Sequence, residues 1–214
     1  MSATRSTQFN RPARVPRWAL VSAALAPLGM IGGWTLAASR QGPGFDPIRD
    51  TISALAAYPA TAPAIMTVGL ALTGVGHVAT AAALRPATSP GRVLLAVGGL
   101  ATALVAALPV DARPQAHGFA AAVGFGALAL WPALAARRGA VGVLSPRGGA
   151  VATGTLLALL TWFVVELQGL GPDDGAATGL AERTVAGAQS LWPLVVVLAL
   201  RRAASPRDDA AGDR

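Results

Sequence analysis

The sequence predicts an all-α, polytopic membrane protein: a bundle of six transmembrane helices with both termini in the cytoplasm. Three observations predict it. Of 214 residues, 53% are apolar and only 13% are charged. The apolar residues gather into runs of about 20, the length that crosses a hydrocarbon core of ~30 Å. These runs lack the polar stripe that a surface helix of a soluble protein carries. Finally, the arginines alternate in density from one connecting loop to the next, as membrane topology requires.

Six spans follow in order: Trp18–Ala38, Pro63–Leu84, Val93–Val110, His117–Ala136, Gly149–Gln168 and Arg183–Leu200. The connecting segments are short and rich in Pro, Gly, Ser and Asp, the residues that turns select. The first span resembles a secretory signal in its basic start and its small residues Ala37, Ala38 and Ser39. Its apolar core is long for a signal, and Gly29, Gly32 and Gly33 suit close helix approach in lipid. It is therefore expected to be a retained helix. Residues 1–16 and 203–214 are expected to be disordered cytoplasmic tails around a transmembrane domain of residues 17–202.

Sorting the arginines fixes the orientation. Arg5, Arg11, Arg14, Arg17, Arg85, Arg92, Arg137, Arg138, Arg147, Arg201, Arg202, Arg207 and Arg214 lie on one side, 13 in all. The other side holds 4: Arg40, Arg49, Arg113 and Arg183. The positive-inside rule places the first side in the cytoplasm, and the even number of spans agrees with it. The expected location is the plasma membrane of a bacterium. The basic balance reflects topology, so no nucleic-acid partner is expected. The chain has no cysteine, which excludes disulfides and thiolate metal sites.

The acids distribute the other way. Seven of ten carboxylates (Asp46, Asp50, Asp111, Glu166, Asp173, Asp174, Glu182) fall at the outer end, while Asp208, Asp209 and Asp213 lie in the C-terminal tail. His117 and four arginines share the outer end. No Asp, Glu or Arg lies at the middle depth of any span, whereas ion-coupled transporters usually carry ionisable groups there. This disfavours a small-solute transporter, although a carrier of neutral solutes escapes the objection. The acidic end is the expected site, with membrane lipid as the expected partner.

In "LPVDARPQAHGF", Pro109 and Pro114 bracket Asp111 and Arg113, so the chain turns here. His117 follows on an otherwise apolar helix, where an imidazole facing the bundle needs a partner. Asp111 either caps that helix or pairs with His117. In "GFDPIRDTISALAAYP", Asp46-Pro47 reads as a helix start, giving a short surface helix with Ile48, Ile52 and Leu55 on one face. Asp50 and Ser53 would then point at the bundle mouth. Glu166 follows "LLALLTWFVV" and is expected to pair with Arg183 or Arg113, or to be protonated. Glu182 opens the last span, where a carboxylate suits the helix dipole. His77, about 14 residues into the second span at 1.5 Å each, is expected ~21 Å below the outer surface, too deep to join the cluster and hydrogen-bonded across helices.

With these pieces in place, the chain resembles the bacterial and archaeal membrane proteins grouped as domain of unknown function 998. The matching segments, in order, are "DTISALAAYP", "LPVDARPQAHGFAA" and "GLAERTVAGAQSLWP", and the resemblance covers roughly residues 18–200. Members usually show Phe-Pro before the aspartate; this chain has Leu108-Pro109 and then Val110. The resemblance implies six spans and an outer polar cluster, marks Ser53, Asp111, His117, Glu182 and Arg183, and implies no activity.

Two functions from different classes fit these residues. One is an intramembrane hydrolase or transferase acting on a lipid or lipid-linked substrate. Its candidate catalytic residues are Asp111, His117 and Glu166, and its candidate substrate-binding residues Asp50, Ser53, Arg113, Glu182 and Arg183. Asp111, His117 and Glu166 are also the set that would hold a divalent metal if one binds. The other is a non-enzymatic lipid-binding or accessory subunit whose polar cluster locks helix ends together. No motif for a nucleotide, haem or flavin is present.

Overall fold

The computed structural model describes residues 15–171 and 174–204. Arg5, Arg11, Arg14, Asp173, Arg207, Arg214, the acids Asp208, Asp209 and Asp213, and the tails expected to be disordered lie outside the described residues, except for residues 15, 16, 203 and 204, of which Ala203 and Ala204 are helical. Within them the chain is all-helical, with no strand and six helices long and apolar enough to cross a membrane. These are α1 (Trp18–Ala38), α3 (Ala64–Ala83), α4 (Ser89–Ala107), α5 (Pro114–Ala135), α6 (Pro146–Leu167) and α7 (Thr178–Ala204). A single turn of helix, α2 (Ile52–Leu55), lies between α1 and α3.

The first span begins and ends where the sequence places it. The starts of α4 and α6 are shifted by the capping residues that a hydropathy window discards. Thr88 accepts from the Gly91 amide ahead of Ser89-Pro90, and Ser145 accepts from the Gly148 amide ahead of Pro146. Arg113 precedes Pro114. In each case proline occupies the first helical turn, where its missing N–H costs nothing. The last helix is longer than expected at both ends, starting at Thr178 and running to Ala204. Inside α1, Pro27 removes an amide from the ladder, and the turn after it widens into a π-helical segment, Leu28–Gly32.

The spans form a ring of sequential neighbours: α1 packs on α3, α3 on α4, α4 on α5, α5 on α6, α6 on α7, and α7 back on α1. Short connections dictate this up-and-down order. The tightest seams are built from glycine. A Cβ on Gly69 would stand 2.5 Å from the Gly29 carbonyl oxygen and 3.1 Å from the Gly33 Cα. Gly74 and Gly99 hold α3 against α4 in the same way, each Cβ meeting the other's carbonyl oxygen at 2.6–2.7 Å. Gly32, grouped with Gly29 and Gly33 in the sequence, faces open space. Gly69→Leu is therefore expected to force α1 and α3 apart and lower stability by about 1–3 kcal/mol. Gly32→Ala is expected to raise it by roughly 0.5–1 kcal/mol through backbone entropy. Unfolding in detergent reads both; equal effects at the two positions would contradict this packing.

Besides a small cluster of Phe163, Ala181 and Val185 between α6 and α7, two apolar clusters fill the ring among the described residues. One, at the arginine-rich end, centres on Leu84, Leu95, Trp131 and Val196. The other, at the acidic end, joins Met30 and Met66 to Ile52 and Leu55 of α2 and to Ala186. The short helix therefore plugs the ring. It is not an amphipathic cover, and it does not begin at Pro47. Asp46–Asp50 is a turn in which Asp46 Oδ1 accepts from the Ile48 amide and Asp50 Oδ2 accepts from the Asp46 amide. Thr51 is the actual N-cap, its hydroxyl accepting from the Ala54 amide at 3.1 Å. Ile48, expected on the buried face, is exposed.

Candidate functional site

The site assembles where α2, the α4–α5 turn and the start of α7 meet. The first amides of any helix have no partner within it. In α2, Thr51 satisfies one, and Glu182, from the second turn of α7, satisfies another: its Oε2 accepts from the Ile52 amide. Its other oxygen faces Ser53, with Ser53 Oγ and Glu182 Oε1 3.4 Å apart. Ser53 Oγ is also 3.0 Å from His117 Nε2.

His117 is oriented by the end of the preceding span. α4 stops at Ala107, and the Leu108 carbonyl, freed from the helical ladder, faces His117 Nδ1 at 2.7 Å. A carbonyl can only accept, so Nδ1 carries a proton and donates. Nε2 then holds the variable proton, and Ser53, with a single hydroxyl hydrogen, links it to Glu182. With His117 neutral, Ser53 donates to Nε2. With His117 as imidazolium, Nε2 donates to Ser53, and Ser53 donates to the Glu182 carboxylate. The three side chains form a relay through which one proton can move. His117 and Glu182 are 6% and 4% exposed, so bulk water does not compete for these bonds.

The remaining candidates have other partners. Arg183 donates from Nη1 to the carbonyls of Pro47 (2.8 Å), Asp50 (2.7 Å) and Gly179 (3.0 Å), and its guanidinium lies 5.8 Å from the Phe45 ring centroid. It clamps the 46–51 turn onto α7. No room for a side chain exists at that junction, since a Cβ on Gly179 would meet the Asp50 oxygen at 2.3 Å. Asp50 is spent inside the turn. Arg113 is exposed.

Three expectations are corrected by this geometry. Asp111 does not pair with His117, both of whose nitrogens are engaged elsewhere; it is exposed, and its Oδ1 accepts from the Tyr58 amide at 3.3 Å. Glu166 does not pair with Arg113 or Arg183; its Oε2 accepts from the Ala177 amide at 3.1 Å, and its carbonyl from Thr178 Oγ1 at 3.2 Å, so it fastens the α6–α7 loop. The set Asp111, His117 and Glu166 is not gathered, and among the described residues no three acids or histidines come together to hold a metal ion.

Two spaces adjoin the relay. A groove of about 370 Å³ runs between α5 and α6, walled by Ala121, Phe125, Leu160, Phe163 and Val164, with Ser53, His117 and Glu182 along its inner side. An inner chamber of about 50 Å³ lies within the ring, lined by Ser53 and Glu182 together with Thr102, His77, Gln189 and Ser190. His77 thus shares a space with the outer cluster, contrary to its expected isolation. Neither of its ring nitrogens has a hydrogen-bond partner, contrary to the expected bond across helices. Gln189 and Ser190 are what the sequence reading missed. Their signal was present as two adjacent polar residues in the middle of an otherwise apolar last span.

No curated protein and no solved structure matches the chain. A family model, described as protein of unknown function (DUF998), matches residues 10–199 and so takes in every element of the ring and the whole of the polar cluster. The chain is a member of the DUF998 family.

Proposed function

We propose that this protein is an enzyme of the bacterial plasma membrane, with both termini in the cytoplasm, that acts as a hydrolase or transferase on a lipid or lipid-linked acyl substrate at the extracytoplasmic end of the bundle. One observation carries the proposal: Ser53 Oγ lies 3.0 Å from His117 Nε2 beside an apolar groove between two spans. A hydroxyl next to an oriented imidazole is the arrangement that activates serine as a nucleophile. His117 takes the proton, the Leu108 carbonyl holds the ring in the required tautomer, and the Glu182 carboxylate on the other side of Ser53 supplies negative charge that favours the imidazolium. The groove has the character of a site for an acyl chain, with apolar walls and a polar inner face. The density of arginines on the opposite side of the spans supports the orientation.

A second reading has its own observation. The Ile52 amide, next to Ser53 in the chain, already donates to Glu182 and so is not free to stabilise a developing oxyanion. On that reading the groove holds a lipid without cleaving it.

The test uses the full chain in phosphatidylethanolamine–phosphatidylglycerol nanodiscs. Lipid products are followed by mass spectrometry, and retained lipid by native mass spectrometry. The enzymatic reading expects acyl release or transfer by the wild type, none by Ser53→Ala, and retained lipid in both. Retention without turnover supports the binding reading, and the absence of both refutes the assignment of the groove to lipid.

A further inference from the structure

The inner chamber shares Ser53, Glu182, Ala121 and Phe125 with the groove and is likewise mostly apolar, but it is smaller and adds buried polar side chains of its own. His77 and Gln189 are each 1% exposed, and both present polar atoms that nothing among the described residues satisfies: His77 Nδ1 and Nε2, and Gln189 Oε1. The Gln189 amide nitrogen is spent on the Phe125 carbonyl at 2.9 Å, which leaves its oxygen free and fixes its direction. Buried polar atoms without partners cost stability and are rare in folded proteins. A hydroxyl of Thr102 and one of Ser190 lie in the same lining, although both already donate to backbone carbonyls of their own helices.

These atoms specify their ligand. Gln189 Oε1 needs a donor. A neutral imidazole needs one donor and one acceptor. Small molecules that both donate and accept satisfy this set, and because the two ring nitrogens of His77 point in different directions more than one is needed; a bare anion or cation does not satisfy it. The volume of about 50 Å³ excludes a lipid headgroup and holds one or a few molecules the size of water. We infer that the chamber is a water-binding site built into the membrane-embedded ring, and that Ser53 and Glu182 form its boundary with the lipid groove.

On the proposed function, which this part alone assumes, that position has a use. A serine ester formed in an apolar groove is shielded from bulk water. A chamber water passing Ser53 has His117 Nε2 beside it. Nε2 removes one water proton as the water oxygen bonds to the acyl carbon. The bond from that carbon to Ser53 Oγ then breaks, the proton passes from Nε2 to Oγ, and a carboxylic acid leaves along the groove. The chamber makes the enzyme a hydrolase, and its loss favours transfer to another lipid.

Hydroxyl-radical footprinting of the full wild-type chain in nanodiscs tests the water site directly, because radicals made from bound water oxidise the side chains around it. Met30 and Met66 belong to the same apolar cluster, but of the two only Met30 also lines the chamber. Met30 is expected to oxidise several-fold faster than Met66, and His77→Leu/Gln189→Leu is expected to abolish the difference. Equal rates in the wild type overturn the inference and require no variant to fold, and a difference that survives the double substitution overturns it too. Fast Met30 oxidation in a protein whose Ser53 proves unreactive keeps the water site and discards its hydrolytic use.

Discussion

His117→Ala is expected to slow modification of Ser53 by an alkyl fluorophosphonate by a factor of ~10²–10⁴, the usual worth of a positioned general base. The expectation rests on two distances. Nε2 is 3.0 Å from Ser53 Oγ, and Nδ1 is 2.7 Å from the Leu108 carbonyl. The second bond makes the first productive, because it commits the ring proton to Nδ1 and leaves Nε2 able to accept. The substitution also removes the Leu108 carbonyl's side-chain donor, so a stability loss of about 1–3 kcal/mol accompanies the loss of reactivity. Asp111→Asn separates the two effects. Among the described residues Asp111 accepts only from the exposed Tyr58 amide, so reactivity at Ser53 is expected to remain near that of the wild type. A variant at Asp111 as slow as one at His117 would restore the direct pairing that the coordinates deny. Intact-mass time courses on the purified protein read both rates.

The largest effect on stability is expected at Glu182. Glu182→Ala deletes a side chain that is 4% exposed, strands the Ile52 amide and leaves a hole at the junction of α2 and α7. The combined cost is roughly 2–5 kcal/mol. Glu182→Gln is the informative partner. Its amide oxygen still accepts from Ile52, so stability is expected to stay within about 1 kcal/mol of the wild type. Its other atom is now an uncharged donor facing Ser53, and the negative charge that favours the imidazolium formed when Ser53 gives its proton to His117 is lost. Ser53 reactivity is therefore expected to fall in a protein that remains folded. If Glu182→Gln keeps full reactivity, Glu182 serves only to cap α2. Thermal unfolding in detergent, together with the same mass-spectrometric assay, gives both quantities.

The spans were legible because long apolar runs leave few alternatives in a membrane. Their starts were less so, since Thr88, Ser145 and Thr178 are polar and fall outside any window chosen for hydropathy. Ser53, His117 and Glu182 were all visible as candidates, and what the sequence could not supply was their grouping. Asp111 is six residues from His117 and so reads as its partner, whereas the true partner lies 64 residues away on a helix of one turn. Glu166 reads as a lone acid in lipid because nothing in the sequence reveals that the α6–α7 loop folds back to give it the Ala177 amide. His77 was set apart by counting residues down one span. The count took the outer cluster to end at the loops. In the fold, Ser53 on the plugging α2 and Glu182 inside the second turn of α7 carry it down the ring axis to meet the chamber that His77 lines.

The central claim is that the His117–Ser53–Glu182 relay makes Ser53 a nucleophile open to the lipid groove. The most direct measurement is the intact mass of the full-length protein after incubation with a long-chain alkyl fluorophosphonate, followed by peptide mapping. The account predicts one adduct per chain, on Ser53, that competing phospholipid slows. An unmodified protein, or label spread over other hydroxyls with Ser53 untouched, contradicts it.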